Sequence, residues 1–179
     1  MLFDAVAMPA RALTLCALTA GLFGCAGDDA KPSGSPSFYK SMATADAKVD
    51  AAAAASMISG YRRNNGLGLV TLDSHLMRMA EEQARAMASK NRFEHDAAGP
   101  FAQRIKRSGY DAKVAVENIG AGYHTLAEAF SGWRDSPPHR ANMLNRGVTK
   151  MGIAAVYSPQ SKYKVFWALI LAAPDDRRG

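Results

Sequence analysis

Apolar positions recur at helical spacing between residues 76 and 87. Leu76, Met79, Ala80, Ala84 and Met87 fall at i, i+3, i+4, i+8 and i+11, while Glu81, Glu82, Arg85 and Lys90 take mostly other faces. This one-sided stripe predicts an amphipathic helix, capped by Asp73 or Ser74 and ending near Asn91. A second helix is expected over about Lys48 to Asn64. It starts Ala-rich, carries Met57, Ile58 and Tyr61 on one face, and stops at Asn64-Asn65-Gly66. Gly99-Pro100 opens a third helix with Phe101 and Ile105 facing inward, closed by Ser108-Gly109-Tyr110. Val114 to Ile119 has the β-branched content of a strand. Thr125, with Glu128 three residues on, predicts a capping box for a helix over Leu126 to Arg134. Asp135-Ser136-Pro137-Pro138 breaks that helix, and a short helical turn carries His139 to Leu144. Val148 to Tyr157 and Lys164 to Ala172 are expected strands. Residues 165–171 are apolar nearly throughout, as in a strand buried on both faces. With helices first and most strands last, the pattern is α+β, with helices on both faces of one small sheet.

Before these elements the pattern changes. Residues 12–23 form a short apolar run preceded by Arg11 and followed by small residues and Asp28-Asp29. That is the layout of a secretory signal, too short to span a bilayer comfortably. Leu22-Phe23-Gly24-Cys25 resembles a bacterial lipobox, which implies acylation of Cys25 and an envelope lipoprotein, with outer-membrane placement permitted; the plain alternative is a secreted soluble protein. Acyl chains add about 0.8 kcal/mol per buried CH₂, and stable anchoring needs more than one chain. The expected organisation is a signal over 1–25, a flexible Pro/Ser/Gly-containing tether over 26–46, a domain over 47–174 and a frayed tail over 175–179. Composition supports a packed core, with 48% hydrophobic and 21% charged residues. The net charge of +6 favours anionic partners such as lipid head groups or acidic envelope polymers. It is too diffuse, and too poor in Lys/Arg runs, to predict nucleic-acid binding. The only cysteines are Cys16 and Cys25, so the domain has no internal disulfide and no thiolate zinc site.

The candidate chemistry centres on Val116-Glu117-Asn118-Ile119-Gly120-Ala121-Gly122. His95 lies 22 residues before Glu117, and His139 lies 22 after it. Brought to one cleft, two imidazoles and a carboxylate can bind Zn²⁺ and leave a position open for water or ligand. Without metal they make a polar, hydrogen-bonding pocket. A carboxylate near the imidazoles is expected to raise their proton affinity. Asn118 and Ser136 are expected to bond local backbone. His75 and His124 are expected at the surface, Trp133 and Trp167 in the core, and Arg62 and Arg140 beside acidic partners. No strained Ser elbow or oxyanion motif accompanies Ser136 and His139, which argues against serine hydrolysis.

Several segments together resemble one family. They are Tyr61-Arg62 with Gly66-Leu67, the Leu76-to-Met87 helix, Phe93-x-His95, Arg104-Ile105 with Gly109-Tyr110, Glu117-Asn118-Ile119, Trp133-x2-Ser136-x2-His139-Arg140-x-Asn142-Met143-Leu144, and Gly152. Over residues 55–173 their order and spacing are similar to the CAP superfamily, also called SCP, of cysteine-rich secretory, antigen 5 and pathogenesis-related 1 proteins. The match is to its short bacterial branch. The resemblance implies a three-layer α-β-α sandwich with a cleft lined by two histidines and two acids. His95, His139 and Glu117 match three of these, and Gln103 stands where relatives often carry the second acid. Ser59 replaces a frequent Asn. The loss of one carboxylate weakens acid–base and metal readings. The reading is therefore a non-catalytic binding module for a small apolar or lipid ligand or a cell-envelope component. The alternative is a metal-assisted hydrolase using His95, Glu117 and His139 with Zn, and a third possibility is a structural envelope lipoprotein with a vestigial cleft.

Overall fold

A computed structural model describes residues 34–175. The signal segment, Cys25, the first part of the expected tether and the last four residues lie outside the described residues. The elements run α1 (Ala51–Asn64), β1 (Thr71–Leu72), α2 (Ser74–Lys90), α3 (Phe101–Arg107), β2 (Ala112–Ala121), α4 (Leu126–Asp135), α5 (Pro137–Met143), β3 (Lys150–Tyr157) and β4 (Val165–Pro174). The strand order is β1-β3-β4-β2, with β1 parallel to β3 and both other pairs antiparallel. This is the α+β arrangement expected from the sequence.

β4 organises the core because alternate side chains on a strand point to opposite faces. Ala168, Ile170 and Ala172 pack with Leu76, Met79, Ala80 and Ala84 of α2, and with Phe101 and Ile105 of α3. Val165, Trp167, Leu169 and Leu171 pack on the other face with Ala54 and Ile58 of α1 and Leu126, Ala129 and Trp133 of α4. Helices therefore cover both faces of the sheet, and residues 165–172 are all buried. The indole N–H groups that so deep a position would strand are satisfied: Trp133 donates to Ile119 O at 2.9 Å and Trp167 to Tyr123 O at 2.8 Å. The caps form as expected. Asp73 accepts from the N–H groups of His75 and Leu76, and Thr125 and Glu128 complete a capping box.

Two local features hold the layers together. α2 crosses β3 at Gly152, where a Cβ would meet the Leu76 carbonyl carbon at 2.1 Å and Met77 N at 2.3 Å. Arg62 is 1% exposed. It donates to the carbonyls of Gly68, Met143, Asn145 and Val148 at 2.8 to 3.0 Å, tying α1 to the loop between α5 and β3. The acidic partner expected for Arg62 is replaced by these four carbonyls, and burial lowers the guanidinium's proton affinity. Exposed Arg140 donates to the carbonyl of Arg134, and its charge joins that of Arg134 in holding the Asp135 carboxyl below its ordinary range.

The described part of the expected tether is ordered against the domain. A 3-10 turn spans Ser37–Tyr39, Phe38 packs on the core, and Met42 is 4% exposed within it. Met42 N donates to His124 O at 2.6 Å, and Ser37 Oγ bonds the Asp50 carboxylate at 2.7 Å. The apolar residues Phe38 and Met42, set among Ser, Lys and Ala, are what dock this segment.

Candidate functional site

β2 is an edge strand, and its alternation sends consecutive residues to opposite sides of the sheet. Glu117 points to the side of α2 and α3, whereas Asn118 points to the side of α4 and α5. The site is built astride this strand.

On the first side Glu117 is buried, its side chain 2% exposed, and both carboxylate oxygens are engaged. Oε1 meets His95 Nδ1 at 2.9 Å, and Oε2 accepts from Arg104 Nη2 at 2.6 Å. Arg104 is itself fully buried. Its Nη2 also donates to His95 O and its Nε to Gly99 O, so the same guanidinium holds the carboxylate and the loop carrying His95. The ring of Phe101 lies under it at 5.1 Å. Nη1 has no hydrogen-bond partner. Buried Gln83 of α2 clamps the same loop, donating to Glu94 O at 2.7 Å and accepting from Ala98 N at 3.1 Å, and Lys90 Nζ donates to Ala97 O. His95 thus has a fixed backbone and one anchored ring nitrogen, while its side chain stays 57% exposed.

On the other side Asn118 Nδ2 donates to His139 O at 3.0 Å. Asn142 Nδ2 donates to Asn118 Oδ1 at 2.9 Å and to Glu117 O at 3.1 Å. These bonds join α5 to β2, so the local role expected of Asn118 is a long-range one. Pro137 and Pro138 start α5 with fixed φ, which places half-buried His139 one turn beyond Ser136. His139 Nδ1 lies 2.9 Å from Ser136 Oγ. That contact uses the ring nitrogen nearer the backbone and orients the ring.

His95 and His139 are held from opposite sides of β2, through Glu117 and Asn118 respectively, and the charge of His95 acts on His139. Gln103 is exposed on α3, with no hydrogen bond from its side chain to the other three residues. His124 is exposed, as expected, whereas His75 is half-buried with Nδ1 3.1 Å from Ser108 O. The donor set fits a bound metal poorly. Glu117 is buried with its two oxygens turned to His95 and Arg104, and among the described residues no group of three or more His, Cys, Asp or Glu side chains is arranged to hold a metal ion. Two imidazole Nε2 atoms remain for a ligand.

The proton affinity of His139 moves opposite to the sequence expectation. Burial first, and the charge of His95 second, hold it below the ordinary 6.5. Glu117 does not compensate, because it lies across the strand with its charge met by Arg104. The native state then binds fewer protons than the unfolded chain. The contribution of His139 to stability is complete above about pH 6.5 and is lost as pH falls below that value. An NMR titration of the His139 ring should give a midpoint below 6.5, moving upward in His95→Ala; an unchanged midpoint would separate the two rings.

Arg104, Gln83 and Asn142 were not singled out as site residues from the sequence. Arg104 and Asn142 lie within the motifs that carried the resemblance, whereas Gln83 is a polar residue on the apolar side of the α2 stripe, and only burial shows its use.

Comparison with known proteins gives the family and the fold. A profile of the cysteine-rich secretory protein family, CAP, matches residues 55–171. YkwD of Bacillus subtilis is 32% identical over 133 residues, covering 66% of this chain and 51% of that protein, so the chain spans about half the length of this curated relative. An extracellular SCP-domain protein of Bacillus anthracis is 25% identical with a TM-score of 0.59, over 68% of this chain and 39% of that one. An outer surface protein of Borrelia burgdorferi shares the fold at 19% identity and a TM-score of 0.63, over 72% of this chain and 98% of that one.

Proposed function

The chain belongs to the cysteine-rich secretory protein (CAP) family, and on that footing we propose that its domain is a non-catalytic binding module exposed in the cell envelope. Its ligand is a small apolar or lipid molecule, or an envelope component, whose polar group is met by His95 and His139. One observation carries this reading: both oxygens of Glu117 are committed, one to His95 and one to buried Arg104. A general base must reach a substrate proton, which Glu117, its side chain 2% exposed behind these two partners, does not, and a hydrolytic metal site needs about three protein ligands. The two imidazoles present their outer nitrogens as hydrogen-bond partners, His95 held by Glu117 and His139 by Ser136.

Calorimetric titration with Zn²⁺ separates this reading from metal-assisted hydrolysis. No saturable one-to-one uptake is expected. One equivalent bound by the parent and none by His139→Ala would transfer support to the hydrolase.

For location we propose export with acyl anchoring at Cys25, supported by the lipobox-like residues 22–25 and by relatives described as extracellular or outer surface proteins. Cys25→Ser is expected to move the protein from the membrane to the soluble fraction. Continued membrane retention of that variant would exclude the anchor.

A further inference from the structure

β3 has one flank that the fold leaves unpaired. β1 covers only Lys150 and Met151, while β3 continues to Tyr157. In an antiparallel strand, alternate residues direct N–H and C=O to the same side. Asp73 N donates to Met151 O on the side away from β4, so Ile153, Ala155 and Tyr157 also present their backbone groups there. Met77 Sδ accepts from Ile153 N. The Ile153 carbonyl, both backbone groups of Ala155 and the Tyr157 N–H have no hydrogen bond among the described residues.

A trough follows this edge. Its first part, about 760 Å³, lies between Ile153–Val156, the segment Ala45–Val49, and Met77, Arg78, Glu81 and Arg85 of α2. A second part of about 490 Å³ shares Arg85 and Val156 with it and continues to Pro159. The segment at 45–49 lies alongside, yet no backbone hydrogen bond joins it to β3. At roughly 3.3 Å per residue, the edge from Ile153 to Pro159 matches an extended segment of about seven residues. Ala45, Ala47, Ala154 and Ala155 give it a shallow lining suited to small side chains. Glu81 and Arg85 neutralise each other. Among the described residues Lys48 and Arg78 have no ion-pair partner, and outside the Glu81–Arg85 pair the trough's lining holds one acid, Asp46, so the trough favours an acidic ligand side chain.

We propose that this trough binds an extended, acidic peptide segment of a partner protein, which adds a strand to the outer edge of β3. The trough lies at the opposite side of the sheet from β2 and does not rest on the reading of the histidine cleft.

The test uses the full-length protein and a pool of capped octapeptides alternating Val and Thr, each with Glu at one position. Hydrogen exchange at the Ala155 and Tyr157 amides should slow at least tenfold with the pool. A pool N-methylated at every residue should give no protection, since it cannot donate to the edge from either side. Lys48→Glu with Arg78→Glu should weaken binding of the Glu pool and favour a Lys pool. Three outcomes would overturn the proposal: no protection at this edge, equal protection by the N-methylated pool, or protection confined to the residues around His95 and His139.

Discussion

Gly152→Ala is expected to destabilise the domain by roughly 3 kcal/mol or more, the upper end of what overpacking costs. The added carbon would fall 2.1 Å from the carbonyl carbon of Leu76 and 2.3 Å from both Leu76 O and Met77 N. These are backbone atoms in the first turn of α2, so only a shift of the whole helix can relieve the overlap. That shift would disturb Leu76, Met79 and Ala80 against β4. Gly132→Ala provides the contrast. Its new carbon would meet the hydroxyl end of the Tyr123 side chain, which can swing aside, and a smaller loss is expected. Urea denaturation of the two variants measures the difference. Equal losses would mean that α2 does not need its close approach to β3.

Arg104→Met should cost about 3–5 kcal/mol, the range seen when one partner of a buried ion pair is removed. Glu117 would be left 2% exposed with only His95 to meet its charge, and the carbonyls of His95 and Gly99 would lose their donor. Adding Glu117→Gln removes the stranded charge, so the double variant is expected to recover part of the loss. A double-mutant cycle by denaturation reads the coupling. Additive losses would show that the pair does not act as a unit. His95 should also become mobile in Arg104→Met, because this guanidinium holds both its backbone and the carboxylate bonded to its ring.

Most of the scaffold was legible because its signals are local. The stripe from Leu76 to Met87, the capping box at Thr125 and Glu128 and the apolar run at 165–171 each specify an element without help from distant residues. The docked segment at 34–46 was not legible. Its composition reads as a linker, and only the tertiary contacts of Phe38 and Met42 order it. The histidines and Glu117 could be identified as candidates from motif context, but the role of Glu117 could not. That role depends on which residues face it across the sheet edge, and periodicity does not say that Arg104 folds inward beneath it. The shift of His139 was missed for the same reason: a carboxylate nearby in sequence logic lies behind the strand in space. Arg62 shows the general limit, since a buried arginine suggests an acid, whereas four converging loop carbonyls satisfy it here.

The central claim is that His95 and His139 hold a ligand they do not turn over. Native mass spectrometry of the full-length protein, purified gently, tests this directly beside the His95→Ala/His139→Ala variant. The account predicts a bound small molecule in the parent, retained intact through purification and lost from the variant at unchanged folding. Equal occupancy in both proteins would place the ligand elsewhere, and conversion of the molecule into products on incubation would contradict a non-catalytic module.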